Sequence, residues 1–476
     1  MRRPALAFVA IATLFACHGE EVRPHRDPPD AGVPTCGDGR ADPGEECDGS
    51  DLRGSSCTTL GFNLGSVSCD SQCRLVTSAC VKLCGNGRID PGEACDGTTG
   101  ALTCADWGYK VCTGACTVDA LHCRADPFRS GTPISQPHGG PAIIADLAPP
   151  GRGDLVIPDP ELVQLQLYSY ELVQGFVEGS AIARTDRIVP SVPIAADLDG
   201  DGRIDLAALN VDGSADRYLY VPPGQSSGQY VLQHLLDPPG ISCPMLQWIG
   251  AFNRHGGGGD DLAALACPGA TTPAAFGGVL IHPGEPVPAP AEWIPQPGTL
   301  AAALADFDGD GSADLLLIQG DGSLVVRFGP AFDVASAPLP LGSTPSRIAA
   351  GDLDGDGDAD VVITSSGAVS VLENMGTSLV ERSARTATGA FAVAVRDLDL
   401  DGRADVVWLA DGEVEVLRNL GGFVFATHVV FTGPGTPVSL ALGDFEGDGD
   451  TDIAATVIDP PGGAGTTTHV LENLVR

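Results

Sequence analysis

The stretch Asp352–Asp360, DLDGDGDAD, places carboxylates at positions 1, 3, 5 and 9 of a nine-residue loop, on Asp352, Asp354, Asp356 and Asp360, with Gly357 at position 6. A hard cation such as Ca²⁺ takes six to eight oxygens at roughly 2.3 to 2.6 Å, and a tight loop with an acid at every second position can turn them all inward. Glycine at position 6 permits the sharp turn, because a residue without Cβ tolerates positive φ. The spelling recurs four times: on Asp197, Asp199, Asp201 and Asp205; on Asp306, Asp308, Asp310 and Asp314; on Asp397, Asp399, Asp401 and Asp405; and on Asp444, Glu446, Asp448 and Asp452.

An EF-hand begins the same way but needs a bidentate Glu at position 12 on an emerging helix. Position 12 here is Ala208, Leu317, Ile363, Trp408 or Ala455. Short apolar runs flank each loop, IAAG before and VVIT after the stretch at 352. The unit is therefore strand, cation loop, strand, the loop serving as the turn of a hairpin in which four unneutralised carboxylates would repel. Degenerate copies begin at Asp146 (DLAPPGRGD) and at Ala251 (AFNRHGGGGDD), so motif starts fall at 146, 197, 251, 306, 352, 397 and 444. A period of 45 to 55 residues holding about four strands is the signature of a propeller blade, and seven repeats predict seven blades.

With 63 Gly and 38 Pro in 476 residues, turn formers beside β-branched runs predict an all-β chain. The net charge of −36 excludes a nucleic-acid binder, which needs a basic footprint. Five bound Ca²⁺ ions would reduce the charge to about −26, so part of the imbalance belongs to the loops.

Residues 1–17 carry two arginines and then an apolar stretch too short for a permanent bilayer span, which reads as an export signal. Its end, Leu14-Phe15-Ala16-Cys17, resembles a bacterial lipobox and implies diacylation of Cys17. Phe15 stands where a small residue is usual, so ordinary cleavage and secretion is the alternative. Residues 18–35 are Pro-rich and charged without an apolar period, the composition of a disordered tether.

Twelve cysteines follow at 36, 47, 57, 69, 73 and 80, then 84, 95, 104, 112, 116 and 123. Two small modules, 36–80 and 84–123, lack the chain to build a large core, so disulfides are expected to staple them. Six cysteines allow fifteen pairings per module and the spacing does not choose among them. Zinc is the competing reading, disfavoured by export. The text CGNGRIDPGEACDG at 84 resembles the disulfide-rich repeat of myxobacterial surface proteins, which implies extracellular spacers or binding units. Cys243 and Cys267 flank the degenerate third loop and are expected to form a cross-strand disulfide, with a pair of buried free thiols as the alternative.

Residues 124–476 are the predicted propeller. Small residues before each loop (IAA at 194, RIAAG at 347, LALG at 440) suit inner strands converging on an axis, and third strands alternate (AVSVLEN at 368, EVEVLRN at 413, THVLEN at 468). The chain stops after the third strand of blade seven, and residues 129–137 are placed to supply the fourth, removing an open edge. The DxDGDGxxD loops and the trailing VLxN text resemble the FG-GAP or VCBS repeat family, the calcium-loop propeller also found in the integrin α head. The resemblance implies Ca²⁺ held by positions 1, 3, 5 and 9 and by the position 7 carbonyl, here that of Arg203, Ser312, Asp358, Arg403 or Asp450. Leu400 for Gly and Glu446 for Asp depart from the pattern; the first is expected to be harmless and the second to weaken its site.

Other signals carry less. Arg152-Gly153-Asp154 spells an adhesion tripeptide but falls where the repeat demands a motif end. His255-Gly256-Gly257-Gly258 resembles an esterase oxyanion loop, yet no GxSxG elbow exists. The histidines form no HExxH, and the only lysines, Lys82 and Lys110, sit in no nucleotide-binding or SxxK motif. The cation loops all join first to second strands and so share one rim; the Pro- and Gly-rich stretches 237–244, 267–278, 283–298 and 458–467 fall on the opposite rim, where binding usually resides. The expectation is a monomeric, non-enzymatic, calcium-binding propeller, lipid-anchored in a bacterial cell envelope or secreted, that binds an extracellular protein or glycan. A polysaccharide lyase or hydrolase using the central pocket, and a purely structural envelope component, are the alternatives.

Overall fold

The computed structural model describes residues 36–475 apart from 61, 63–64, 81–88, 90–93, 97–98, 101–103, 105–106, 109, 114–115, 121–122, 124–126, 148–150, 184–188, 211–213, 221–229, 236–245, 255–257, 267–276, 285–290, 344 and 460–464. Cys17, the tether, the expected Cys243–Cys267 disulfide and most of the stretches at 237–244, 267–278 and 458–467 lie outside the described residues. The chain divides into two units, 1–100 with 113–117, and 101–112 with 118–476.

In the first unit, disulfides choose one of the pairings that spacing left open: Cys36–Cys73, Cys47–Cys69 and Cys57–Cys80, first with fifth, second with fourth, third with sixth. Acids in and just after the DPGEECDG text fix the intervening loop. Asp48 is buried and accepts the N–H groups of Gly37 and Asp38 at 2.7 and 3.0 Å, while Asp51 accepts that of Ala41 at 3.0 Å. Cys95 and Cys116 are disulfide-bonded as well; in the second unit Cys104–Cys123 again joins a third cysteine to a sixth, and Cys112 is disulfide-bonded.

The second unit is the propeller, and its described elements are all strands. Seven antiparallel sheets follow in chain order. Their inner strands are Ile143–Ala145, Pro190–Ala196, Leu246–Phe252, Thr299–Ala305, Arg347–Gly351, Ala392–Arg396 and Thr436–Gly443. Each contacts the next, and the last contacts the first, which closes the ring. Small residues are required there: a Cβ on Gly443 would stand 2.5 Å from the Ile144 side chain of blade one, and one on Gly351 2.7 Å from Val395 of blade six.

Second strands begin at position 9 of each loop. Asp205–Asn210, Asp261–Ala266, Asp314–Gln319, Asp360–Thr364 and Asp405–Ala410 are buried at every residue, because both faces pack against neighbouring blades. Blades five and six share Val362, Val369 and Val371 with Val406, Trp408 and Leu417; blades one and seven share Leu155, Ile157 and Tyr170 with Phe445, Ala454 and Val470. The third strands Ala368–Asn374, Glu413–Asn419 and Thr466–Asn473 alternate in burial over their first four residues as expected, whereas Gly278–His282 is buried throughout; the outer strand Leu379–Thr386 is mostly exposed.

Blade seven is completed from the N-terminal side. Phe128–Ser130 and Ile134–Gln136 both pair with Thr466–Asn473, matching Leu471 to Ser130 and Thr468 to Ile134. This closure ties the two ends of the propeller by main-chain hydrogen bonds and covers the edge that would otherwise template aggregation. The register corrects one sequence boundary. Phe252 pairs with Asp261 as Ala196 pairs with Asp205, so position 1 of the third loop is Asn253 rather than Ala251. The Gly run had obscured the count.

Candidate functional site

The loops between first and second strands are built by one scheme, set by the carboxylate at position 9. Asp205, Asp314, Asp360, Asp405 and Asp452 are each at most 1% exposed. Each accepts the N–H of its own position 2 residue (Leu198, Phe307, Leu353, Leu398 or Phe445) at 2.6 to 3.0 Å. Each also accepts an N–H from the third strand, of Tyr220, Gly329, Asn374, Asn419 or Asn473, at 2.6 to 2.9 Å. The position 2 side chains are buried and anchor the loop in the core.

Position 1 organises the turn. Asp197 accepts N–H groups from Gly200 at 2.8 Å, Asp201 at 3.1 Å and Gly202 at 2.9 Å, and Asp306, Asp352 and Asp444 repeat the pattern. Position 5 in turn accepts the N–H of position 7, Asp201 from Arg203 and Asp356 from Asp358. The main chain thus aims the carboxylates at a common point. Oxygens of Asp197, Asp199 and Asp205 lie within 4.8 Å of one another, as do those of Asp306, Asp308 and Asp314, of Asp352, Asp354 and Asp356, and of Asp397, Asp399 and Asp405.

The electrostatics follow from this crowding. Burial first, then neighbouring carboxylates, push Asp205, Asp358 and Asp360 up to about 6, and the same causes raise Asp199, Asp314, Asp354 and Asp397. Anions that raise one another's affinity for protons form a site that a divalent ion would relieve. Three buried loop oxygens, Asp358 Oδ1, Asp397 Oδ1 and Glu446 Oε2, have no hydrogen-bond partner. The donor set is all oxygen, which suits a hard cation and not a thiophilic one. At Glu446 the longer side chain meets Asp452, and burial raises both carboxyls.

The degenerate loops keep the frame without the acids. In blade one, Asp154 accepts the N–H of Leu147 at 3.3 Å and Asp146 that of Gly151 at 2.7 Å. Asp154 is 5% exposed and the Gly153 N–H donates to Asp444 O at 2.8 Å, so the Arg-Gly-Asp tripeptide is part of the ring and is not displayed. In blade three, Arg254 stands at position 2, and its guanidinium donates to Asp261 at 2.9 Å and to Glu292 at 2.8 Å. A cleft of about 310 Å³ opens between the loops of blades seven and one, lined by Asp146, Arg152, Asp444 and the glycines around them.

Several residues escaped sequence reasoning. Asn374, Asn419 and Asn473, the last letter of VLxN, each donate through Nδ2 to the position 2 carbonyl of the preceding blade, Phe307, Leu353 or Leu398, at 2.7 Å. A second link joins position 8 to the preceding position 1 carbonyl: Asp260 to Asp197 at 2.6 Å and Ala359 to Asp306 at 2.9 Å. Among the described residues these bonds join blades two to three, four to five, five to six and six to seven, and Gly153 to Asp444 joins seven to one. The VLxN text was the available signal for the asparagines; their reach into the neighbouring blade depends on the ring.

Leu400 occupies position 4 with φ +57°, where Gly200, Gly309, Gly355 and Gly447 have φ between 71° and 86°. The left-handed region costs a residue with a Cβ about 1 kcal/mol, so the substitution is not neutral. Leu400→Gly is expected to stabilise the protein by about 0.5 to 1 kcal/mol, read as a higher urea midpoint at unchanged slope. An unchanged or lower midpoint contradicts the strain.

Residues 306–363, 352–408 and 397–455 match the model of the FG-GAP-like repeat. The chain thus carries FG-GAP-like repeats on a seven-bladed β-propeller, preceded by disulfide-bonded cysteine pairs. Among solved structures, BBS1N in complex with ARL6DN, soaked with mercury, is similar with a TM-score of 0.50 and 14% identity, covering 73% of this chain and 97% of that chain. A lectin of Agrocybe aegerita that recognises non-reducing terminal N-acetylglucosamine is similar with a TM-score of 0.44 and 17% identity over 78% of this chain and 94% of that one. No curated protein matches the sequence.

Proposed function

We propose that this chain is an exported, lipid-anchored propeller whose loop carboxylates bind Ca²⁺ and whose opposite rim binds an extracellular protein or glycan. The observation that carries the reading is the repeated loop, in which main-chain donors orient the acids and three carboxylates, from positions 1, 3 and 9 in blades two and four and from positions 1, 3 and 5 in blade five, come within 4.8 Å of one another. Calcium would draw on Asp197, Asp199, Asp201 and Asp205, on the corresponding acids of blades four and five, and on Asp444, Glu446, Asp448 and Asp452 of blade seven, with the position 7 carbonyls completing the shell. Its contribution is structural. It neutralises carboxylates that burial makes costly to charge, and because the loops from blade four through blade seven to blade one are hydrogen-bonded in series, stiffening one stiffens its neighbours.

A rigid ring presents the loops of its far rim with little ordering cost on binding. Those loops are the stretches 237–244, 267–278 and 458–467; the stretch 283–298 does not join them, because 283–291 connects the third strand Gly278–His282 to the fourth, Glu292–Pro295, and returns to the rim of the acidic loops, where the Gly284 N–H donates to Asp261 at 2.8 Å. Glycan-array and pull-down screening of the full-length protein in millimolar Ca²⁺, with reducing-sugar release assayed in parallel, tests the binding role. Saturable capture of a defined glycan or protein without sugar release supports it. Sugar release would make the chain a carbohydrate-active enzyme, and no capture of either class would leave a structural envelope component. Mass spectrometry of the mature N-terminus decides between a diacylated Cys17 and simple secretion.

A further inference from the structure

We infer that blade six, although it spells a full calcium loop, holds no calcium: the guanidinium of Arg418 is its resident cation, and the loop serves as the docking site for Cys104, Trp107 and Gly108 of this same chain. The inference rests on the calcium reading above for the other blades and departs from it at this one.

The x of VLxN lies beside the loop of its own blade. It is Glu373 in blade five and Glu472 in blade seven, paired there with Arg382 and Arg129. In blade six it is Arg418, 1% exposed, whose Nε donates to Asp399 Oδ2 at 2.5 Å, with Asp399 fully buried. The same guanidinium lies 3.9 Å from Asp401, which is also paired with Arg403. Positions 3 and 5 are thus already neutralised by two arginines, neither of which can lose its proton. Asp397 and Asp405 still lie within ligand range of Asp399, and Asp397 Oδ1 is buried without a partner. A fixed positive charge some 5 Å from a divalent ion nevertheless lowers its affinity by at least about 10³-fold at protein-like screening. For a site of the extracellular class, with a dissociation constant of roughly 10⁻⁴ to 10⁻³ M, that removes occupancy at millimolar calcium.

The two terminal nitrogens of Arg418 also bond the main chain of a preceding segment. They reach the carbonyls of Cys104 and Gly108 at 3.5 Å each, and the guanidinium carbon lies 6.0 Å from the centre of the Trp107 ring. Trp107 is 1% exposed, meets Phe128 edge-on at 5.8 Å and packs on His428 at 4.8 Å. Asp399, Arg418 and the carbonyls of Cys104 and Gly108 therefore form one buried chain of charge-assisted bonds. Blade three shows the same substitution independently, for there Arg254 supplies the positive charge to Asp261 where the loop has lost its acids.

Calcium bound per full-length chain is to be counted by equilibrium dialysis at millimolar free metal. Four ions are expected, from blades two, four, five and seven, falling to three in Asp354→Asn, with a fifth gained in Arg418→Gln. Hydrogen exchange of residues 104–112 is expected to be unchanged by chelator and about tenfold or more faster in Arg418→Gln. Five ions in the wild type, or exchange at 104–112 that accelerates on chelation as much as in Arg418→Gln, overturns the inference. Binding of no calcium by wild type and variants alike defeats the calcium reading of the other blades instead, and the exchange arm then decides the role of Arg418 alone.

Discussion

Adding a chelator to the full-length protein is expected to lower the melting temperature of the propeller by about 10 to 15 °C. A site occupied at a hundredfold over its dissociation constant adds about 2.7 kcal/mol, and four such sites add about 10 kcal/mol, comparable to the whole stability of an ordinary domain. For a unit of this size each kcal/mol moves the transition by somewhat more than 1 °C. The effect should be reversed by calcium in excess and reproduced poorly by Mg²⁺, which demands a tighter octahedral shell. Disulfides hold the first module through Cys36–Cys73, Cys47–Cys69 and Cys57–Cys80, so its protection should not follow the metal. Overlapping melting curves with and without chelator would contradict a structural role for calcium.

The second large effect is an inversion of pH dependence. Asp205, Asp358 and Asp360 are pushed up to about 6 in the folded chain, burial being the leading cause, against an unperturbed value near 4. Between about pH 4 and 6 the folded state then binds more protons than the unfolded one, so stability falls as pH rises through that window. Chelated protein should accordingly melt several degrees higher at pH 4.5 than at pH 7, even after the shifts are discounted for solvent screening. Calcium-loaded protein should do the opposite, because protons compete with the ion for the same oxygens. Parallel pH profiles in chelator and in calcium would mean that the carboxylates and the metal are not linked.

The blade count and the acidic turns were legible because both rest on local spelling. DxDGDGxxD fixes a tight turn whatever surrounds it, and apolar runs of five or six residues after each loop announce strands buried on both faces. The closing strand could be read too, since a blade that ends at THVLENLVR lacks its edge and only one nearby segment was left to fill it. Interactions between blades were not legible. Asn374 looks like a strand end until the ring brings Phe307 O within 2.7 Å. Leu400 looked like a tolerated replacement because sequence gives no φ, and the loop forces it to +57°. Arg418 reads as one polar letter in an alternating strand, and its meaning depends on Asp399 and Trp107, 19 residues before it and some three hundred before it in the chain. The cysteine pairing required coordinates for the same reason: spacing constrains loop lengths but not which sulfurs meet.

The central claim is that carboxylates aimed at one point by main-chain donors hold a divalent ion at the turn of a blade. A crystal of the full-length protein grown in millimolar calcium, with anomalous difference maps collected at long wavelength, tests it directly. The account predicts peaks within about 2.3 to 2.6 Å of oxygens from Asp197, Asp306, Asp352 and Asp444, and no peak at Asp397. Featureless maps at all of these loops would contradict it.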